Sequence, residues 1–219
     1  MTEIWDHWCV SIALYDWDGA IDLKKFSEFA SSFFAANKVS PDVAHLTSKG
    51  RDRNANTSKT VERLLKQDVL ANADCLELLH TIPDYAQLIF GWDVQTEVLN
   101  VNGRTIYFGC DKALAGIDLE FLEEVIGQFS QIVQLRYGIG YVKQFEFGPC
   151  VYAHGMVSGL GYSREDLIKA DRIGAWFRER MAGNRHLAGL LRDVYPLNVI
   201  SEPHLQQRVA GLPLLMLVM

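Results

Sequence analysis

One dipeptide, Asn102-Gly103, constrains the fold of this chain more than any other local feature. It is flanked by residues 96–101 and 104–109, two segments rich in β-branched and aromatic residues. Because Asn-Gly readily adopts the positive φ angles of a type I′ turn, the sequence predicts a β-hairpin here. The sheet of this protein is therefore expected to contain antiparallel strands.

A strand and a helix are predicted near the N-terminus. Residues 8–14 alternate in polarity, which is the period of a strand with one face in the core. After a turn at residues 16–19, apolar residues recur at helical spacing from Leu23 to Phe33. Asp22 stands directly before this helix, where an aspartate side chain is a favourable N-cap.

The same strand and helix patterns recur further along the chain. Apolar stripes at helical spacing predict helices over residues 119–133, after an Asp118 cap, and over residues 163–181, whereas residues 137–147 have the composition of a strand. The order of these elements predicts an α+β fold, with an antiparallel or mixed β-sheet and helices packed mainly on one face. The length fits a single domain over residues 1–219.

Residues 47–60 differ from the rest of the chain in having only one apolar residue, Ala55. Such a segment buries too little surface to offset the entropy lost on ordering. The sequence therefore predicts a mobile loop near 47–60, followed by a helical segment at 61–70 that returns the chain to the body of the domain.

Cysteine and histidine residues are spread over the whole chain. The cysteines are Cys9, Cys75, Cys110 and Cys150, and the histidines are His7, His45, His80, His154, His186 and His204. The sequence has no C-x-x-C pair, no two histidines are four residues apart, and no histidine is expected at metal-ligand spacing beside a cysteine. We therefore expect reduced core thiols, structural histidines, no metal and no cofactor.

The sequence also contains no complete catalytic motif. Glycines within residues 155–161 precede a predicted helix, but Arg164 interrupts a dinucleotide-binding pattern and no P-loop is present. No nucleophile elbow or protease cysteine context occurs. We predict no catalytic residue, and the alternative left open is a small hydrolase or transferase with a site around His154 and the 155–161 turn.

Charge gives information about partners. The formal net charge of -6 argues against direct binding of nucleic acid, which needs a basic face, and favours a basic partner. An acidic excess is also a common means of remaining soluble. Residues 1–23 contain five acidic residues and no Lys or Arg, and residues 111–124 contain five acidic residues and one lysine.

Two tryptophans lie beside acidic residues, a combination that suits a protein interface because aromatic residues anchor binding and charge steers the encounter. The simpler alternative is that these tryptophans cover the edge of the core. The predicted partner-binding residues are Asp16, Trp17, Asp18, Asp22, Trp92, Asp93, Glu120 and Glu124.

The two ends of the chain bear on its location. Residues 1–10 lack the basic and apolar regions of a signal peptide, so a cytoplasmic protein is expected. The apolar run at 212–219 is far shorter than the roughly 20 residues that cross a bilayer, so no membrane partner is expected and a buried last strand is predicted. Pairing of this run between chains would indicate a structural subunit, and a homodimer stays open.

Motifs in the C-terminal half carry a family resemblance. They are Gly159-Leu160-Gly161-Tyr162 before a capped helix, residues 191–198 (LRDVYPLN) and residues 201–205 (SEPHL). On these motifs the chain resembles immunity proteins of bacterial polymorphic-toxin and type VI secretion systems, in particular the family numbered fifty-two among predicted immunity proteins. The resemblance extends over about the last two-thirds of the chain.

The resemblance implies an α+β protein that binds and neutralises a cognate secreted toxin encoded by an adjacent gene. Such a toxin is typically a nuclease with a restriction-endonuclease-like domain. It implies no enzyme activity and no cofactor, and it transfers no interface residue to this sequence. An acidic surface would suit a basic nuclease.

Overall fold

The computed structural model describes residues 7–17, 21–83, 92–99, 104–115, 119–131, 133–145, 148–154, 174–175, 195–206, 208–209 and 212–213. The strands are β1 (Trp8–Trp17), β2 (Val43–Ser48), β3 (Arg51–Ala55), β4 (Cys75–Thr81), β5 (Trp92–Leu99), β6 (Thr105–Asp111), β7 (Leu135–Gln144), β8 (Leu197–Ile200), β9 (Arg208–Val209) and β10 (Leu212–Pro213). The helices are α1 (Leu23–Ala36), α2 (Ser58–Leu65), a 3-10 helix (Asp68–Asn72), α3 (Lys112–Ala115), α4 (Leu119–Ser130), α5 (Pro149–Ala153) and α6 (Glu202–Leu205).

Eight of the strands form one sheet in the order β3-β2-β4-β5-β6-β1-β7-β8. Every neighbouring pair in this sheet is antiparallel. The predicted hairpin is present, because β5 pairs with β6 in a register that places Leu99 opposite Thr105, although the turn at 100–103 lies outside the described residues. The α+β prediction, with helices mainly on one face, is confirmed.

Both faces of β1 are buried, whereas the alternation in its sequence predicted burial of one. Val10, Ile12 and Leu14 belong to one hydrophobic cluster and Cys9, Ala13 and Tyr15 to another, with exposed fractions of 3% or less. Cys, Ala and Tyr occur both in protein cores and at the surface. The polarity of these residues therefore did not identify the second face of β1 as buried. We call the first face the helical face and the second the tyrosine face.

The long helices cover the helical face through aromatic residues. Phe29 of α1 lies edge-on to Phe108 of β6 and to Phe129 of α4, with ring centroids 5.3 Å apart in both cases. Phe26 of α1 contacts the same two rings. Such pairs contribute about 0.5–1.5 kcal/mol each beyond the area they bury. The predicted stripes of α1 and α4 are thus joined in one core.

Residues 47–60, predicted as a mobile loop, contain regular structure. They include the end of β2, all of β3 and the beginning of α2, with a turn at Lys49 and Gly50, where φ is positive. Lys49 N donates to Asp74 Oδ2 over 2.8 Å, and Thr57 caps α2. Because β3 is an edge strand, it can be polar, and a polar edge discourages pairing with other chains.

Several predicted features lie outside the described residues. They are the turn at 155–161, nearly all of the predicted helix at 163–181, and most of the apolar run at 212–219. Within the described part of that run, Leu212 pairs with Val209 of the same chain. No helix among the described residues has the length and apolar character to cross a membrane.

The N-cap of α1 gives a first testable prediction. Asp22 is exposed, and its Oδ1 accepts a hydrogen bond from Lys24 N over 2.9 Å. Asp22→Ala removes this acceptor and should lower the free energy of unfolding by about 1 kcal/mol, measured by urea denaturation. Asp22→Ser retains an acceptor and should lie close to wild type, so an equal loss in both variants would contradict a capping role.

Candidate functional site

The structure buries the aromatic part of the predicted interface. Trp17 and Trp92 are each 3% exposed, and Trp92 packs against Phe145 with ring centroids 4.9 Å apart. Asp93, which follows Trp92 in sequence, is also buried, and its Oδ1 lies 2.6 Å from Nδ1 of His80. These three side chains, which the sequence predicted to bind a partner, lie on buried surfaces of their strands.

The acidic part of the predicted interface is divided. Glu120 and Glu124 are exposed on α4, together with Glu123, and we call these three residues the α4 acidic face. Asp22 is exposed at the start of α1 but is engaged in capping. Asp16 lies in β1 and its side chain is not described, while Asp18 lies outside the described residues.

A second group of titratable residues, which the sequence did not reveal, lies on the tyrosine face. The register of β4 and β5 places Glu77 directly opposite Glu97. His45 of β2 lies opposite Glu77 on the other side, and Tyr107 of β6 lies opposite Glu97. Two like charges at directly opposite positions destabilise a sheet unless neighbouring groups compensate for them.

The compensating groups come from α5 and from β5 itself. Sγ of Cys150 donates a hydrogen bond to Oε2 of Glu97 over 3.0 Å, and Nε2 of His154 lies 3.1 Å from the same oxygen. Gln95 Nε2 donates to Oε1 of Glu77 over 2.6 Å. We call Glu77, Glu97, Cys150 and His154 the α5 cluster.

Two tyrosines fix α5 on the sheet. The hydroxyl of Tyr141 donates to the carbonyl of Pro149 over 2.6 Å, and the hydroxyl of Tyr15 donates to the carbonyl of Ala153 over 2.7 Å. These carbonyls belong to the first and last residues of the helix. Because both ends are held, Cys150 and the C-terminal His154, one helical turn apart, are directed together at β5.

The pKa values of Glu77 and Glu97 are shifted in opposite directions. Burial, and after it the charge of Glu97, raise the pKa of Glu77. Burial also acts to raise the pKa of Glu97, but the hydrogen bond and charge of His154 and the hydrogen bond from Cys150 outweigh it, so the pKa of Glu97 is lowered overall. Glu97 is therefore the carboxylate that carries the charge, and Glu77 is the one that more readily holds a proton.

The thiols of this protein are poor nucleophiles. Burial is the main cause that raises the pKa of Cys9 and Cys75 to about 12 and that raises the pKa of Cys150 well above its usual value. The neighbouring carboxylate of Glu97 adds to the effect at Cys150. Because the thiolate is the reactive form, Cys150 lacks the activation of a catalytic cysteine in this arrangement.

The chemistry of the α5 cluster fits two uses. A carboxylate that contacts a histidine is the pair used to orient a general base. Alternatively, a thiol, an imidazole and a carboxylate oxygen from Cys150, His154 and Glu97 lie within 4.8 Å of one another and are typical zinc ligands. The expectation that no histidine stands at metal-ligand spacing beside a cysteine is wrong for Cys150 and His154, which are four residues apart and could hold an ion together with Glu97.

The other described histidines have structural partners, as expected from the sequence. Nδ1 of His7 lies 2.6 Å from Oδ2 of Asp111, and Nδ1 of His45 lies 3.0 Å from Oδ1 of Asn54. His204 stacks on Tyr137 with ring centroids 5.2 Å apart. These contacts fix the histidine side chains on the sheet.

A groove of about 590 Å³ lies between α1 and the 3-10 helix, on the opposite side of the sheet from the α5 cluster. Its lining mixes charges of both signs, among them Lys24, Glu28, Glu62 and Lys66, and these side chains are exposed. No buried titratable group points to chemistry there. The groove is therefore a weaker candidate than the α5 cluster.

Comparisons of the chain with known protein families, with curated proteins and with solved structures found no match. The resemblance to immunity proteins thus depends on the sequence motifs quoted above. The structure offers two candidate functional features, the α4 acidic face and the α5 cluster.

The glutamate pair gives a second prediction. Glu77, whose pKa is raised on folding, favours the folded state while protonated and loses that contribution as the pH rises through the raised pKa. Glu77→Gln removes the repulsion with Glu97 and keeps an oxygen for Gln95, so it should increase the free energy of unfolding at pH 7.5 and have less effect at pH 5. Urea denaturation in a chelating buffer at the two pH values measures this.

Glu97→Gln should have the opposite effect at pH 7.5. The lowered pKa of Glu97 means that its charge stabilises the fold above its ordinary pKa, a contribution that is lost as the pH falls through the lowered pKa. Glu28→Gln, at an exposed position of α1, is the matched control and should be neutral. If Glu77→Gln and Glu97→Gln change stability in the same direction, the asymmetry of the pair is refuted.

Proposed function

We propose that this protein binds and neutralises a cognate secreted toxin, a nuclease effector of a polymorphic-toxin or type VI secretion system, in the cytoplasm of the producing bacterium. In this role it is a binding protein and not an enzyme. The proposal unites the family resemblance of the C-terminal motifs with a specific surface of the fold, the α4 acidic face.

The observation that carries the proposal is the charge of α4. Its sequence, LEFLEEVIGQFS, contains three glutamates and no Lys or Arg, and all three glutamates are exposed. Glu120 and Glu124 are four residues apart, a spacing at which like charges repel within a helix. No Lys or Arg in the described part of the chain forms an ion pair with these glutamates. A basic partner would relieve this repulsion.

The helix presents this charge on a rigid support. Leu122, Val125 and Phe129 on the opposite side of α4 are at most 5% exposed and pack into the core of the helical face. The backbone positions of the three glutamates are therefore fixed by the packed helix, which lowers the backbone entropy lost on binding. A nuclease binds phosphates through a basic surface, and carboxylates in such a pattern would compete for that surface.

Charge reversal on α4 tests the proposal. We expect Glu120→Lys/Glu124→Lys to slow association with the purified toxin domain encoded by the adjacent gene by about tenfold or more at low salt, because electrostatic attraction accelerates encounter. Stopped-flow or surface-plasmon measurements at two salt concentrations give the rate. The same variant should protect poorly against the toxin when the two are expressed together.

Two variants serve as controls for this experiment. Glu120→Gln/Glu124→Gln should have an intermediate rate with weaker salt dependence, and Glu62→Lys, an equivalent reversal on the exposed side of α2, should bind as wild type. Wild-type rates in the folded Lys double variant would refute the role of α4. Absence of binding by the wild-type protein would refute the proposed function itself.

A second candidate function has one observation in its favour. The alternative of a hydrolase or transferase around His154 would be favoured by a deep pocket lined by that histidine with a carboxylate within hydrogen-bond reach, and Glu97 is such a carboxylate. His154→Gln separates the two functions: it should leave toxin binding and protection unchanged under the main proposal. A hydrolytic activity on ester or phosphoester substrates that disappears in His154→Gln would instead favour the enzyme.

A further inference from the structure

Three different donor groups converge where α5 crosses the tyrosine face. Oε2 of Glu97 lies 3.0 Å from Sγ of Cys150 and 3.1 Å from Nε2 of His154. In a tetrahedral zinc site, metal–ligand bonds of about 2.0–2.3 Å place neighbouring donor atoms about 3.3–3.5 Å apart. The two separations from Oε2 of Glu97 differ from these values by less than an ångström, and Sγ of Cys150 lies within 4.8 Å of a ring nitrogen of His154.

We propose that Glu97, Cys150 and His154 together bind one Zn²⁺ ion. Thiolate and imidazole are ligands of the borderline-soft metals, whereas Mg²⁺ and Ca²⁺ are held by oxygen atoms alone. Three protein ligands leave a fourth position for water, for another residue of the chain or for a bound molecule. The inference is independent of toxin binding, since it concerns the opposite face of the sheet from α4.

The supporting structure holds the three ligands in place before any ion binds. Tyr15 and Tyr141 fix the two ends of α5, and Glu97 is set by the pairing of β5 with its neighbours on both sides. Cys150 is 8% exposed, and the side chains of Glu97 and His154 are 16% and 14% exposed. Ligands ordered in this way lose little entropy on binding, and their partial burial strengthens attraction to a cation.

Binding of Zn²⁺ by these three residues also balances in protons and in charge. Zn²⁺ would form a bond to Sγ of Cys150 as the thiol proton leaves to solvent, and Nε2 of His154 would bind the ion while the neutral ring carries its proton on Nδ1. With the carboxylate of Glu97, the two negative ligands neutralise the ion. Glu77 lies opposite Glu97 and would accept a hydrogen bond from water in the fourth position, a role typical of groups next to a metal.

The experiment is a titration of the metal-free full-length protein with Zn²⁺ against a chelating dye, accompanied by Co²⁺ absorption spectra. We expect one equivalent to bind tightly, with a thiolate-to-cobalt charge-transfer band in the near ultraviolet. Cys150→Ser and His154→Gln should each weaken binding by at least about a hundredfold, because loss of a ligand costs more than loss of a neighbouring group. Glu77→Gln should weaken it by about tenfold.

Matched controls come from the same sheet. Cys110→Ser changes a buried cysteine on the helical face, and His80→Gln changes a histidine that contacts Asp93 much as His154 contacts Glu97. Both should bind Zn²⁺ as wild type. The proposal is overturned if wild type binds no more tightly than Cys150→Ser, if the charge-transfer band survives in Cys150→Ser, or if His80→Gln loses the ion while His154→Gln keeps it. Circular dichroism verifies that each variant is folded.

Discussion

The rest of this structure depends on the burial of β1 on both faces. A strand whose Ile12 and Tyr15 are both fully buried requires a layer of structure on each side of the sheet. The long helices α1 and α4 provide one layer, and α5, held by tyrosine hydroxyls, provides part of the other. Because α5 closes over the tyrosine face, polar residues of β4 and β5 that would otherwise meet water become partly enclosed.

The pair formed by Glu77 and Glu97 is significant because both carboxylates are partly buried. Partly buried carboxylates are costly, and a buried ion pair seldom contributes more to stability than apolar residues of similar volume would. This sheet nevertheless places Glu77 opposite Glu97 and surrounds them with donors from Gln95, Cys150 and His154. Carboxylates that are shifted in pKa and compensated by several elements are frequent at functional sites, which is why the α5 cluster is the basis of the zinc proposal.

Local patterns in the sequence predicted the local structure well. The Asn102-Gly103 hairpin strands, α1 with its Asp22 cap, and α4 all follow from spacing within a few residues. Features set by distant residues were missed. The polar edge strand β3 is stabilised by β2 and by Asp74, Trp17 is buried because β1 is central, and the α5 cluster exists only through the registers of β4 and β5. Periodicity contains no information about such registers.

The position of β1 also affects how the protein is made. Its neighbours in the sheet are β6 and β7, so β1 has no pairing partner until about half of the 219 residues have been synthesised, when β6 is complete. Contacts so distant in sequence slow folding, and an unpaired strand with two apolar faces is a target for aggregation while it waits. A truncated chain that ends before β6 leaves β1 without either neighbour, and its apolar side chains then stay exposed.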